Sequence, residues 1–265
     1  MISILPLCAL VTGGNSGIGR AISLGLAQAG YQVIILARHS GKNESVVAEI
    51  KAKGGRADSY ALDVSQPSEV QSIFSQIAER YGAPSLLVNN AGVTRGGRLD
   101  HCTPQDWIET IGINLTGTFL CSLEAHRLMK KVKTGHIINI ASQAAGWSGA
   151  EEIIYGTTKT AQVKFTLHLL DEWKKTESEL GCQNPSFFAH AICPGGVDTP
   201  WYDSKPWADR SQMLQPEEVA ELLCALVEHP TQDLDFWKQW SKNKTFQIGP
   251  LGLFEPHPAV LRIWK

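Results

Sequence analysis

The sequence predicts an α/β fold in one domain, residues 1–265: a doubly wound parallel sheet of about seven strands with helices on both faces. Three observations carry this. Short apolar runs alternate with longer stretches of helical spacing from residue 7 to residue 192. The runs are β-branched and nearly continuous, as in YQVIILA (31–37) and HIINI (136–140), which is the pattern of strands covered on both faces. No internal repeat, low-complexity tract or shift of composition divides the chain.

Residues 7–11 form the first apolar run, bounded by glycines, and 20–29 follow with alanine and leucine at helical spacing up to Gly30. A strand at 31–37, a helix at 44–53 and a strand near 58–62 come next. The stretch 67–81 reads as a helix with Ser65 as N-cap and Gly82 as stop. A fourth strand covers 85–88. Thr103 caps a helix begun by Pro104, and 116–131 gives a long helix. The fifth strand is 136–140, the next helix 153–175 and the sixth strand 187–192. Beyond Cys193 the pattern loosens: 198–215 is a Trp-, Pro- and Asp-bearing loop, 216–228 a helix, and 243–265 an atypical tail with a last strand near 245–248.

A formal net charge of -2 leaves no basic footprint for nucleic acid and no overall attraction to an anionic membrane. No uncharged apolar run reaches the ~18 residues of a membrane span. The apolar start, MISILPLCALVTGG, lacks a basic n-region and reads as the first strand, not a signal peptide. Six cysteines, Cys8, Cys102, Cys121, Cys182, Cys193 and Cys224, form no C-x-x-C pair and no zinc-like spacing. They suit a reducing, cytoplasmic location, and no metal site is expected.

TGGNSGIG (12–19) lies between the first strand and the first helix. Glycines there allow a tight turn and close approach of the backbone to a pyrophosphate, which then meets the free N–H groups of a helix N-terminus. Gly13, Asn15, Ser16, Gly17, Ile18 and Gly19 are the candidate contacts of a dinucleotide. NAD binders place an acid at the end of the second strand, on the ribose 2′-hydroxyl. Here the stretch is LARHS (36–40), with Arg38 and no acid. A guanidinium fork binds a 2′-phosphate that a carboxylate would repel, so NADP(H) is the expected cofactor and NAD(H) the alternative.

These features, joined by others in order, resemble the short-chain dehydrogenase/reductase family over 7–200, a Rossmann-type fold. The family's T-G-x-x-x-G-x-G matches Thr12, Gly13, Gly17 and Gly19; its Asp-Val matches Asp63 and Val64; its N-N-A-G matches Asn89, Asn90, Ala91 and Gly92. Its helix asparagine matches Asn114, its serine Ser142, its Y-x-x-x-K Tyr155 and Lys159, and its P-G-x-V-x-T matches Pro194, Gly195, Val197 and Thr199. The resemblance implies an NADP(H)-dependent oxidoreductase that moves hydride between nicotinamide and a carbonyl or secondary alcohol. In it Tyr155 is general acid and base, and Lys159 lowers its pKa and holds the nicotinamide ribose. Ser142 orients the substrate oxygen, and Asn114 holds a water that links Lys159 to solvent. Asp63 meets the adenine.

The sequence departs from the family in places. The stretch 172–192 makes the connection into the sixth strand longer, expected as a surface loop. The tail lacks V-D-G-G, which leaves a homodimer or a homotetramer open. Gln143, Ala144, Trp147, residues 151–154, Thr94, Arg95, Trp201, Tyr202 and Trp207 are expected to line the substrate pocket, with Gln143, Trp147 and Trp201 as the named substrate residues. Such aromatics suit an apolar or ring-bearing small-molecule carbonyl or alcohol. Alternatives are a 3-oxoacyl-carrier-protein reductase, for which Arg127, Lys130, Lys131 and Lys133 would dock the carrier, and an NAD-dependent alcohol dehydrogenase. A non-catalytic dinucleotide sensor fits less well, because the tyrosine and lysine are both present.

Overall fold

The computed structural model describes residues 7–147, 149, 152–184, 186–203, 205, 208–230, 234–245, 247–249, 257 and 259–265. Among these residues eight strands form one sheet: β1 (Cys8–Thr12), β2 (Gln32–Leu36), β3 (Arg56–Tyr60), β4 (Leu86–Asn89), β5 (Gly135–Ile140), β6 (Phe187–Pro194), β7 (Gln247–Gly249) and β8 (Val260–Trp264). Their spatial order is β3-β2-β1-β4-β5-β6-β8-β7. Every pairing is parallel except β7 with β8, so seven parallel strands end in one antiparallel edge. The chain winds outward from β1 to β3, then restarts at β4 on the other side of β1. That reversal opens a crevice at the carboxyl ends of β1 and β4, where open α/β sheets bind ligands.

Alternate strand residues supply the two faces. Ala9, Val11, Val33, Ile35, Val88 and Ile138 pack under α1 (Gly17–Gln28), α2 (Ser40–Ala52) and α7 (Pro216–Glu228). Leu10, Ile34, Leu36, Leu87 and Ile137 pack under α3 (Pro67–Tyr81), α5 (Gly117–Val132) and α6 (Ile153–Leu180). Two further helices are α4 (Pro104–Ile111) and α8 (Leu234–Trp240). This is the period-two alternation of a strand buried on both sides.

Several elements differ from the sequence expectation. The strand near 245–248 exists as β7, but it is the antiparallel edge. The seventh parallel strand is β8, from within the unassigned tail, and it is inserted between β6 and β7. Ser65 does not cap α3; Gln66 holds that position, and Ser65 instead donates through N and Oγ to Asp63 Oδ1 at 3.0 and 2.7 Å. The expected surface loop after 175 is largely helix. α6 continues through Leu180 and stops at Gly181, whose φ of 66° is left-handed. Thr103 does cap α4, accepting from Asp106 N, while Asp106 accepts from Thr103 N at 2.9 Å. No helix among the described residues is long and apolar enough to cross a membrane.

Candidate active site

Thr12, the last residue of β1, fixes the crevice. Its Oγ1 accepts from Asn90 N and Ala91 N at 2.9 and 3.0 Å and donates to Val88 O at 3.3 Å. Asn90 Nδ2 donates back to the carbonyls of Thr12 and Gly13. The loop after β4 is thereby stapled to the glycine turn. Gly13 has φ 63°, and a Cβ on Gly19 would stand 2.2 Å from Gly13 O, so only glycine lets the turn close. Ser16 precedes α1 without a side-chain cap, and the first turn holds no acid. The N-terminal N–H groups of α1 therefore face the crevice uncapped, which suits an anion.

Two adjoining concavities share Ser16 and Gly92. One is lined by Gly13, Asn15, Arg38, Asp63, Val64 and Ala91 from the expected cofactor set. The other takes Gly17, Ile18, Asn90, Pro194, Gly195, Val197 and Thr199, together with Ser142, Tyr155 and Lys159. Gly19 and Asn114 line neither; both sit behind the wall, Gly19 against Gly13 and Asn90, and Asn114 fully buried. The residues present fit a dinucleotide laid along both hollows. Arg38 is exposed at the rim of the first and makes no ion pair among the described residues. Lys42, one turn into α2, lines the same hollow, as does His39. The sequence does not single out Lys42, because it places the second helix only from residue 44.

Asn114 lies in a π turn, Gly112–Thr116, that joins α4 to α5. Its side chain accepts from Val93 N at 2.8 Å and donates to Val93 O and Thr158 Oγ1 at 2.9 and 3.1 Å. Thr158 Oγ1 in turn donates to Tyr155 O. One amide thus ties the loop after β4 to the first turn of α6. Ser142 follows β5, its Oγ accepting from Ala144 N at 3.1 Å. Lys159 is 3% exposed, and its Nζ lies 5.5 Å from the Tyr155 ring centroid.

Burial raises the Tyr155 phenol above its ordinary value, against an opposing pull from Ser142, while Glu152, Tyr202 and Cys193 add to the rise. Burial also pulls the Lys159 ammonium down to about 8, with Cys193 acting weakly the other way. Burial is the largest influence on the Tyr155 phenol in this enclosure. The cation stands over the ring and its own charge is disfavoured by the same enclosure.

Gln143, Ala144, Trp147, Trp201 and Tyr202 line the cleft as expected, with Glu152 at its wall. Trp201 sits with its ring centroid 5.6 Å from that of Tyr155. It is carried by a loop whose two ends are joined by the Asp198–Leu214 backbone pairing and by Arg210, which pairs with Asp198 and with Asp203 at 2.9 Å. From the tail, Arg262 of β8 reaches Gln143 Oε1 at 3.4 Å. Thr94 and Arg95 do not join the cleft; Arg95 is drawn to Glu109 of α4 at 3.0 Å. Ile153 is exposed and Ile154 buried, also off the cleft. Residue 151 and Trp207 lie outside the described residues. Gln162, which no motif indicated, donates to and accepts from the core of the site.

Residues 7–208 match the short chain dehydrogenase family. The chain is 34% identical over 231 residues to the 3-oxoacyl-[acyl-carrier-protein] reductase of Synechocystis sp., covering 87% of this chain and 92% of the relative. It is 32% identical over 230 residues to the (2S)-[(R)-hydroxy(phenyl)methyl]succinyl-CoA dehydrogenase subunit BbsD of Thauera aromatica, covering 83% and 88%. Among solved structures it resembles an actinorhodin polyketide ketoreductase with NADPH, with TM-score 0.76, 29% identity and coverage of 84% and 90%. The serine, tyrosine and lysine meet in a cleft continuous with the glycine-turn groove, and nearly the whole length of these relatives is matched. On both grounds the chain belongs to the short chain dehydrogenase family of oxidoreductases.

Proposed function

We propose that this protein is an NADP(H)-dependent reductase of carbonyl compounds, reversible to secondary-alcohol oxidation, with Tyr155 as general acid and base. The observation that carries the reading is the convergence of Ser142, Tyr155 and Lys159 on one cleft that runs into the groove of Gly13, Arg38 and Asp63. Gly13, Asn15, Ser16, Gly17 and Ile18 would hold the pyrophosphate, Asp63 and Val64 the adenine side, and Arg38 with Lys42 the 2′-phosphate. Asn90, Pro194, Gly195, Val197 and Thr199 would flank the nicotinamide half. Bound there, the nicotinamide supplies or accepts the hydride.

The chain's own part is proton transfer and orientation. Tyr155 is neutral through the physiological range and so stands ready to donate its proton to a carbonyl oxygen as negative charge develops there. Ser142 orients that oxygen. Lys159 remains mostly protonated at neutral pH, replacing charge at the tyrosine after transfer. Trp201 and Trp147 offer apolar walls to the substrate.

The substrate reading favoured by the relatives is an acyl thioester bearing a 3-oxo group, since one relative's name carries an acyl-carrier protein and another's a CoA ester. The expected carrier-docking cations are partly engaged within the chain: Arg127 with Glu124, Lys130 with Glu179, and Lys133 with the Leu180 carbonyl. A ketone or ring-bearing carbonyl remains the first reading for the aromatic cleft. A homo-oligomer is supported by exposed Phe119 and Trp107 on α5 and α4.

The test is fluorescence titration with NADPH and NADH, repeated with Arg38→Ala. NADPH is expected to bind tighter than NADH, and the variant to lose tenfold or more of NADPH affinity (about 1.5–3 kcal/mol for a charge-assisted contact) with NADH little changed. Equal binding of the two cofactors by the native protein would remove the NADP(H) assignment.

A further inference from the structure

The lysine of the site is gripped by an amide three residues along its own helix. Lys159 Nζ has three N–H donors. One goes to Ile140 O at 2.8 Å and one to Gln162 Oε1 at 2.9 Å, and the residue lines the cleft where the third is left. From its other end Gln162 Nε2 donates to Asn114 O at 2.7 Å and to Thr118 Oγ1 at 2.8 Å. Thr118 Oγ1 also donates to Asn114 O, at 2.8 Å. That carbonyl therefore accepts from two side chains, which uses both of its lone pairs.

Gln162 is fully buried, and both amide hydrogens are in use. Its orientation is dictated by chemistry. Reversed, it would set N–H groups against the ammonium and an oxygen against the Asn114 carbonyl.

We propose that Gln162 is a positioning residue for Lys159, spanning from the ammonium to the Asn114 carbonyl in the place where the family resemblance leads one to expect a water. The oxygen of the amide favours the charged form of the lysine, and the amide hydrogens anchor it to the π turn. The groups that face Lys159 leave this acceptor without a rival. Tyr155, on α6, and Cys193, on β6, are both neutral near pH 7; burial pushes the Cys193 thiol up to about 12. β5 contributes the Ile140 carbonyl, and the α4–α5 segment contributes neutral amide and hydroxyl groups. Glu152, at the head of α6, bears on Tyr155.

The role rests on the assignment of Tyr155 and Lys159 given above, but it can be read without turnover. In protein carrying [ε-13C]lysine, the Lys159 resonance is identified by its loss in Lys159→Arg and titrated by NMR. The native midpoint is expected at about 8. Gln162→Leu, which fills the space without an acceptor, is expected to lower the midpoint by about one pH unit, and Gln162→Glu to raise it by at least as much. Gln162→Met serves in the same way if the leucine variant does not fold. Shifts of opposite sign are not a packing effect. With NADPH and an acetoacetyl thioester as probe, the leucine variant is expected to lose about twofold in kcat at about pH 7 and about fivefold at about pH 8, with the KM for the thioester little changed. A Lys159 midpoint that stays in place in folded variants overturns the proposal. Shifted midpoints in a native protein that reduces no carbonyl would overturn the hydride-transfer reading and leave this one standing.

Discussion

At the scale of single residues the site separates two tasks that a free tyrosine performs badly. A buried phenol with a raised pKa is a stable proton donor, and it is a poor base until the pH rises. Carbonyl reduction should therefore hold a flat kcat/KM below about pH 8 and decline as Lys159 loses its proton, whereas alcohol oxidation should climb with pH over the same range. Steady-state rates in both directions across pH 6–10, a window of about four units, check this; parallel profiles would contradict it. Tyr155→Phe removes the donor and should lower turnover by roughly 10²–10⁴-fold while leaving NADPH binding nearly intact. Tyr155 and Lys159 were legible in the sequence because their relation is local, four positions on one helix face. Gln162 was not. It lies on the same helix, but its partners Asn114 and Thr118 are more than forty positions away, and a lone glutamine in an apolar helix carries no pattern. Arg95 failed in the opposite way. Its place after N-N-A-G pointed to the cleft, and a carboxylate on α4 took it elsewhere.

At the scale of elements, the first six strands and most helices could be read from their runs and turn signals, with β3 (RADSY) the least apolar of the strands. β8 could not. It is five residues with an arginine in the middle, and what makes it a strand is pairing with β6, from Ala191↔Val260 to Pro194↔Ile263. Propensity gives way there to tertiary contact. Leu261 is 0% exposed in the core on the α1, α2 and α7 face of the sheet. Leu261→Ala should lower the unfolding free energy by about 2–5 kcal/mol, read as a lower urea midpoint with unchanged slope. A cost below about 1 kcal/mol would mean that β8 is not a load-carrying part of the sheet. The same strand puts Arg262 against Gln143, so this segment of the tail bears on the cleft wall as well as on the sheet. The end of α6 was misread for a related reason. KKTESE carries no apolar periodicity to mark a helix, yet the helix runs on to its left-handed glycine.

For the whole molecule, the doubly wound plan was legible from alternation alone; the place of the last strand in it was not. One global property follows from a pair inside the sheet. His136 Nε2 and His190 Nδ1 lie 2.8 Å apart, at 6% and 0% exposure. Burial, then the neighbouring histidine, hold His136 well below its usual pKa of 6.5. The unfolded chain takes up that proton below about pH 6.5 and the folded chain does not, so stability is lost as the pH falls, at up to about 1.4 kcal/mol per unit. Urea midpoints at pH 7.5 and 5.5 should differ accordingly, and His136→Gln should flatten the difference. The order of strands also sets a timetable for synthesis. β6 pairs on one side with β5, but its other neighbour is β8, some seventy residues later in the chain. While the ribosome makes that interval, the nascent sheet shows the open edge of an apolar strand, a template for another chain to join. A chaperone that shields the β6 edge would act during that interval, before β8 is made.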